Sequence, residues 1–396
     1  MACCGPAILF SAWTRCFRTT KYTVDIDKMA ISQHVHFFAS SNGPYFPAVN
    51  DVKKLRDATG VSIGRCHVAL KMCKGDFEAA SHWLRRYGEK LAETRKSCCV
   101  TEGLVTKLMT KKHAALLVLK CETDFVSRNY LFKSLLNAII ETVTSASLGD
   151  INCLTVADVG ELLVTKSFDP KISCSKINDA IAEVSNILGE RIVLLHLCYP
   201  LNSRLITSSY LHNCEDTRFG RSGGLVSLET EENPRFDANH DVDASILGLL
   251  HHVSKQLSIQ IVATQPKFLD LSQVDPLFIE KERKMVEESF VSSQGVHTLD
   301  HSIKCILENN LKQALAEKTF IDQQYMMTEQ LLSYFSRTNP RIEQVERVKQ
   351  FLRSKDGVSV RDVLHVLGSS IDLKLSIKRG IFVDVATEPI DLFRRS

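Results

Sequence analysis

An unbroken apolar stretch, Ala114-Ala115-Leu116-Leu117-Val118-Leu119, leads into the run Cys121-Glu122-Thr123-Asp124-Phe125-Val126. Beyond it, Phe132, Leu135, Leu136, Ile139, Ile140 and Val143 recur at the spacing of one helix face. Upstream, residues 104–109 read as a second strand, and Lys111-Lys112-His113 supplies the turn between the two. An antiparallel hairpin followed by a long amphipathic helix points to an α+β chain. A polar pair and a Phe at a strand-to-helix junction are costly for a core and useful for a probe.

Phe125 admits two readings. It lies seven residues before Phe132, so on one continuous helix it falls on the buried stripe and is a core residue. If residues 123–126 instead form a short turn, with the long helix restarting at Ser127 or Asn129 as its N-cap, Phe125 is free to point outward. Asp124 also has two roles open to it. One is that of a surface probe; the other is a charge favoured at a helix N-terminus, and both can hold together.

Residues 47–88 read as three short helices. Val52 and Leu55 share a face of the first, which Thr59-Gly60 ends, with Gly supplying the left-handed cap. Ser62 opens the second, carrying Ile63, Cys66, Ala69 and Leu70; Asp76 opens the third, carrying Phe77, Ala80, Trp83 and Leu84 inward. Gly88 is expected to close it, and residues 89–103 form a linker or a helix extension. The remainder divides into 104–200, holding the 123–126 run, then 201–390, which repeats the strand–helix pattern loosely, and a tail at 391–396. Further helices are expected at 176–187, 244–263, 276–290, 342–353 and 360–367. Strands are expected at 191–198, 204–212, 224–228 and 375–385, and a charged loop at 230–241. The Glu- and Lys-rich segment 276–290 reads as a solvated or protruding helix.

Composition removes several function classes. The net charge of +3 is small, and Arg15, Arg18, Lys21 and Lys28 against Asp25 and Asp27 put +2 of it in residues 1–46. The remaining +1 argues against direct nucleic-acid binding. None of the thirteen cysteines forms a C-x-x-C pair, and no Cys/His set has zinc spacing, so they read as reduced thiols and no metal is expected. No apolar run is long enough to span a membrane. There is no G-x-x-x-x-G-K-[ST] loop, no G-x-S-x-G elbow and no H-E-x-x-H pair. Gly220-Arg221-Ser222-Gly223-Gly224 reads as a turn, and the neighbours His251 and His252 diverge on a helix. No catalytic residue and no cofactor are expected, and the chain reads as a non-enzyme.

Residues 1–24 contain no acid, and Arg15, Arg18 and Lys21 alternate there with Phe, Ser and Thr. That is the composition of a transit peptide. A secretory signal fits less well, because the basic residues follow the apolar run 7–10. Residues 1–46 are therefore read as a transit peptide and flexible join.

Two motifs carry a family resemblance. The first is Val52-Lys53-Lys54-Leu55-Arg56-Asp57-Ala58-Thr59-Gly60 with Gly75-Asp76-Phe77-Glu78-Ala79-Ala80; the second is Thr123-Asp124-Phe125-Val126. In this order they resemble the elongation factor Ts family, and Cys121-Glu122 with Ser127-Arg128-Asn129 are most similar to its mitochondrial branch. Looser similarity covers Leu188-Gly189-Glu190-Arg191 and Gln265-Pro266-Lys267-Phe268-Leu269. The strand end Ser209-Tyr210-Leu211-His212 also matches, but Asn213 stands where the family has Gly and Cys214-Glu215-Asp216 follow.

The resemblance implies a ubiquitin-associated-like three-helix module, then a core of two α+β subdomains with small antiparallel sheets. It implies a guanine nucleotide exchange factor acting on GDP-bound and nucleotide-free elongation factor Tu in the mitochondrial matrix. Thr123, Asp124, Phe125 and Val126 would enter the GTPase and disturb its Mg²⁺ site, and His212 is a candidate partner contact. The competing reading is a ubiquitin-associated-type adaptor without exchange activity. Residues 276–290 would be a reduced form of the family's coiled coil.

Overall fold

The computed structural model describes residues 45–94, 99–110, 113–146, 156–165, 168–169, 172, 176–200, 205–214, 216–230, 244–294, 301–338, 345–354 and 357–392. The expected transit peptide, but for Tyr45 and Phe46, and nearly all of the charged loop at 230–241 lie outside these residues. Pro47–Ser396 forms one compact unit.

Three helices come first: α1 (Val49–Thr59), α2 (Ile63–Met72) and α3 (Phe77–Thr94). Gly60 takes the expected left-handed conformation, with φ 73°. The Asp76 side chain accepts a hydrogen bond from Ala79 N at 3.0 Å, as an N-cap does. Val52, Leu55, Val61, Cys66, Ala69, Leu70, Ala80 and Leu84 make the core of this module. Two expectations need correction. Phe77 is 38% exposed, and Trp83 is only half-buried, stacked on Tyr87 with ring centroids 4.9 Å apart. So small a core is filled by Ala80 and Leu84, leaving the larger rings at its margin. Nor does Gly88 end the third helix, which continues to Thr94. A Cβ at Gly88 would lie 2.3 Å from the Asn186 side chain, so this glycine serves close packing, not chain reversal.

Next come β1 (Glu102–Met109) and β2 (His113–Cys121), the expected hairpin, then α4 (Asp124–Arg128), α5 (Tyr130–Ser145), α6 (Val156–Gly160), α7 (Ile177–Leu188) and β3 (Val193–Pro200). The antiparallel order β1-β2-β3 forms one sheet. The second half has β4 (Leu205–His212), β5 (Ser222–Thr230), α8 (Ala244–Thr264), α9 (Pro276–Gln294), α10 (His301–Lys318), α11 (Thr328–Thr338), α12 (Val345–Ser354), α13 (Val360–Ser370), β6 (Leu375–Asp384) and β7 (Ile390–Asp391). Its antiparallel sheet runs β4-β5-β6-β7. This is an α+β fold with two small antiparallel sheets, as expected.

The two sheets pack face to face. Val105, Ala114, Leu116 and Val118 meet Leu211, Leu225, Ile381 and Val383 in the layer between them. On the far face of the first sheet, Ala115, Leu117 and Leu119 pack with Phe132, Leu135 and Ile139 of α5 and with Ala180 and Val184 of α7. On the far face of the second, Val226, Leu228 and Phe382 pack with Leu250, Val253, Leu257 and Ile261 of α8. Every residue of β2 is therefore buried, which explains why its apolar run does not alternate.

α10 and α11 were not expected from the sequence. Among the described side chains of α10, only Leu307, Leu311 and Leu315 are buried, a stripe one residue wide that gives a weak periodic signal. α10 packs along α9, so the polar segment at 276–290 belongs to a helical pair.

Candidate functional site

Cys121 ends β2 opposite Glu102, and Thr123 follows in extended conformation, with φ −128° and ψ 156°. Thr123 precedes the five residues of α4, yet its side chain does not cap that helix. The Thr123 Oγ1 hydroxyl donates instead to Glu190 Oε1, and Thr123 N donates to Glu190 Oε2 at 3.0 Å. A reciprocal bond joins the neighbouring residues: Arg191 N donates to Glu122 Oε1 at 2.7 Å. Residues 122–123 and 190–191 are thus strapped together across 67 positions of sequence. The Cys121 thiol lies buried behind the strap and donates to Thr123 O at 3.2 Å. Burial first, then the nearby carboxylates of Glu190 and Glu102, push its pKa up to about 12, so it stays protonated.

α4 stops at Asn129. Asn129 leaves helical geometry, with φ −65° and ψ 138°, and its Oδ1 accepts from Leu131 N at 2.8 Å, capping α5. The break takes Phe125 off the α5 stripe: Phe132 is fully buried, whereas Phe125 is 81% exposed. The core reading of Phe125 therefore fails and the turn reading stands. Val126 and Ser127 face inward and anchor the turn, and Ser127 Oγ donates to Asp124 O at 2.8 Å. Asp124 sits in the first turn of α4 beside Arg128, 3.5 Å away, and its side chain is 41% exposed. A pair this open is screened by water and holds Asp124 weakly.

His212 stands elsewhere, at the exposed end of β4. Its Nδ1 is 3.2 Å from the Tyr210 hydroxyl, and its carbonyl accepts from Arg221 N. Asn213 adopts φ 54°, a left-handed conformation that Asn tolerates, so the loss of Gly at this position is accommodated. Gly220 then pairs with Val105 of β1 through two backbone bonds of 2.7 and 2.9 Å. The glycine-rich stretch 220–224 is thus strand entry and strand. Among the described residues, no hydrogen bond or ring contact joins His212 to residues 123–126.

Two features escaped the sequence reading. Tyr130, the first residue of α5, is 77% exposed five positions after Phe125. Glu190 was visible only as part of a loosely similar tetrapeptide. A Gly C-cap followed at once by an acid was the available signal, but its partner lies too far away in sequence to infer. Gly189 does take the left-handed conformation, φ 78°, turning the chain sharply enough to aim Glu190 back at Thr123.

The three-helix module seats on the same end of α7. Arg65 Nη1 donates to Asn186 O at 3.2 Å, and Asn186 Nδ2 donates to Leu84 O at 3.3 Å. Among the described residues, no group of three or more His, Cys, Asp or Glu side chains is placed to hold a metal ion. No described helix is long and apolar enough to cross a membrane.

Comparison with known proteins places these features. The family model described as Elongation factor TS matches residues 122–357, a span that includes the strap, strands β3, β4 and β5 and the helical pair. A protein of Ricinus communis named "Elongation factor Ts, mitochondrial" is 29% identical over 333 residues, covering 82% of each chain. One of the same name from Oryza sativa subsp. indica is 30% identical over 294 residues, covering 73% of each. "Elongation factor Ts" of Methylobacterium sp. (strain 4-46) is 30% identical over 275 residues, 69% of this chain and 80% of its own. With the exposed Thr-Asp-Phe-Val turn on a two-sheet core, these matches show that the chain belongs to the elongation factor Ts family.

Proposed function

We propose that the protein is a guanine nucleotide exchange factor for mitochondrial elongation factor Tu, releasing GDP so that the GTP form is regenerated during translation elongation. The observation that carries this reading is Phe125: an aromatic ring 81% exposed on a turn whose backbone is pinned from behind. Such a side chain contributes nothing to its own core and has a large apolar area to bury in a partner.

An exchange factor needs no acid, base or nucleophile. It must bind the nucleotide-free GTPase better than the GDP-bound one, because a partner shifts an equilibrium only by its differential affinity. In this reading the three-helix module docks on the GTPase while Phe125 fills an apolar pocket that opens as GDP leaves. Burying one aromatic side chain contributes roughly 1.5–3 kcal/mol, a bias of about tenfold or more toward the open state. Asp124 brings a carboxylate against the polar shell that orders the Mg²⁺ waters. Thr123 and Val126 hold the turn, and His212 is a second contact point on the other sheet. No nucleic acid, membrane or cofactor enters this scheme.

The test is direct. Residues 47–396 are mixed with mitochondrial elongation factor Tu loaded with fluorescent GDP. Capture of the GTPase with accelerated loss of fluorescence is expected, and capture without acceleration would overturn the exchange reading. The names of the plant relatives and the acid-free residues 1–24 support residence in the mitochondrial matrix. A reporter fused to residues 1–46 is expected in mitochondria, and a cytosolic or secreted reporter would refute it.

A further inference from the structure

We propose that Glu190 is a positioning residue for exchange: it sets the angle at which Phe125 leaves the surface, without touching the partner itself. The inference rests on the exchange reading above and goes beyond it by assigning what aims the probe.

α4 has five residues and one turn, too few to hold a helix by itself. Its preceding residue makes no side-chain cap, because the Thr123 hydroxyl is turned outward to Glu190. Both Glu190 carboxylate oxygens are engaged, one by the hydroxyl and one by the Thr123 amide. Hydrogen bonds to an ionised acceptor are the stronger kind, and two from one residue fix an orientation as well as a distance. Glu122 closes the strap from the opposite side by accepting from Arg191 N.

The base of the strap is stiff. α7 buries Ile177, Ala180 and Val184, Gly189 N bonds Ser185 O at 2.8 Å, and Ser185 Oγ donates to Glu190 O. The same short stretch carries Asn186, on which Arg65 and Leu84 of the module rest. Residues 186–191 therefore fix both the module and the probe turn, and with them the distance between the two.

The experiment uses the full chain and fluorescent-GDP release from elongation factor Tu, with Glu190→Ala, Glu190→Gln, Phe125→Ala and the double variant Glu190→Ala/Phe125→Ala. Glu190→Ala is expected to lower the maximal release rate about tenfold. The half-saturating concentration should move less than about twofold, since the docking module is untouched. Glu190→Gln keeps the shape and one acceptor oxygen, so its rate is expected between the two. In the Phe125→Ala background, Glu190→Ala should cost much less than it does alone, because the ring it aims is gone and only the Asp124 carboxylate is left on the turn. A role confined to folding would not produce that non-additivity.

A wild-type maximal rate in Glu190→Ala would overturn the inference. So would a full additional loss in the double variant, or a loss in both Glu190 variants that tracks the folded fraction measured by melting. Wild-type exchange by Phe125→Ala would overturn the role of the ring, and this inference with it, whereas no acceleration of GDP release by the unaltered chain would overturn the exchange reading itself.

Discussion

Replacing Phe125 by Ala separates a surface probe from a structural residue more sharply than any other change. The ring is 81% exposed, so folding gains little from it, and truncation should alter stability by less than about 0.5 kcal/mol. For a chain of this size that moves the melting temperature by no more than about 2 °C. In the complex the same ring becomes buried, and its loss removes roughly 1.5–3 kcal/mol from the nucleotide-free state only. At 1.4 kcal/mol per decade, GDP release should slow by about one to two orders of magnitude. Phe132→Ala is the internal control. That ring is fully buried against Leu135 and Ile139, and its removal should cost roughly 3–5 kcal/mol of stability. Melting by circular dichroism and release of fluorescent GDP, measured on both variants, make the comparison. A large loss of stability in Phe125→Ala with normal exchange per folded molecule would refute the reasoning, and normal values of both would refute the role.

Other consequences follow from the same packing. Asn129→Ala removes the α5 cap and should cost roughly 0.5–2 kcal/mol in chemical denaturation; an unchanged midpoint would mean that the helix break is held by other contacts. In the module, Leu84→Ala should destabilise by roughly 2–5 kcal/mol, and Trp83→Ala by clearly less, because Leu84 is 2% exposed and Trp83 lies at the margin. Equal losses would restore Trp83 to the core. The Cys121 thiol, buried and with its pKa raised to about 12, should resist alkylation of the native chain at pH 8, while the exposed Cys99, Cys214 and Cys305 react. Since the shift is upward, protection should persist until the pH nears 12 or the chain unfolds, and rapid native labelling of Cys121 detected by mass spectrometry would contradict it.

Much of this was legible in the order of residues. The hairpin, the amphipathic α5, the caps at Gly60 and Asp76 and the α+β class all follow from local periodicity and local capping chemistry, while the restart of α5 stays open between Ser127 and Asn129. These are interactions within a few positions along the chain, which is why a sequence can state them. The sequence also posed the alternatives for Phe125 without deciding between them, since seven-residue spacing suits a continuous helix and a broken one equally. Tertiary structure decided the rest, because the deciding partners are distant. The burial of both faces of β2 needs a second sheet drawn from residues 205–391 and two helices from the first half. That residue 88 is a glycine inside α3 is explained only by Asn186, which lies where a side chain would otherwise sit. The aim of the 123–126 turn is set by Glu190, a residue whose importance is invisible until Gly189 turns it back toward Thr123. Local rules make the turn and the exposed ring possible; only a contact across 67 residues fixes where that ring points.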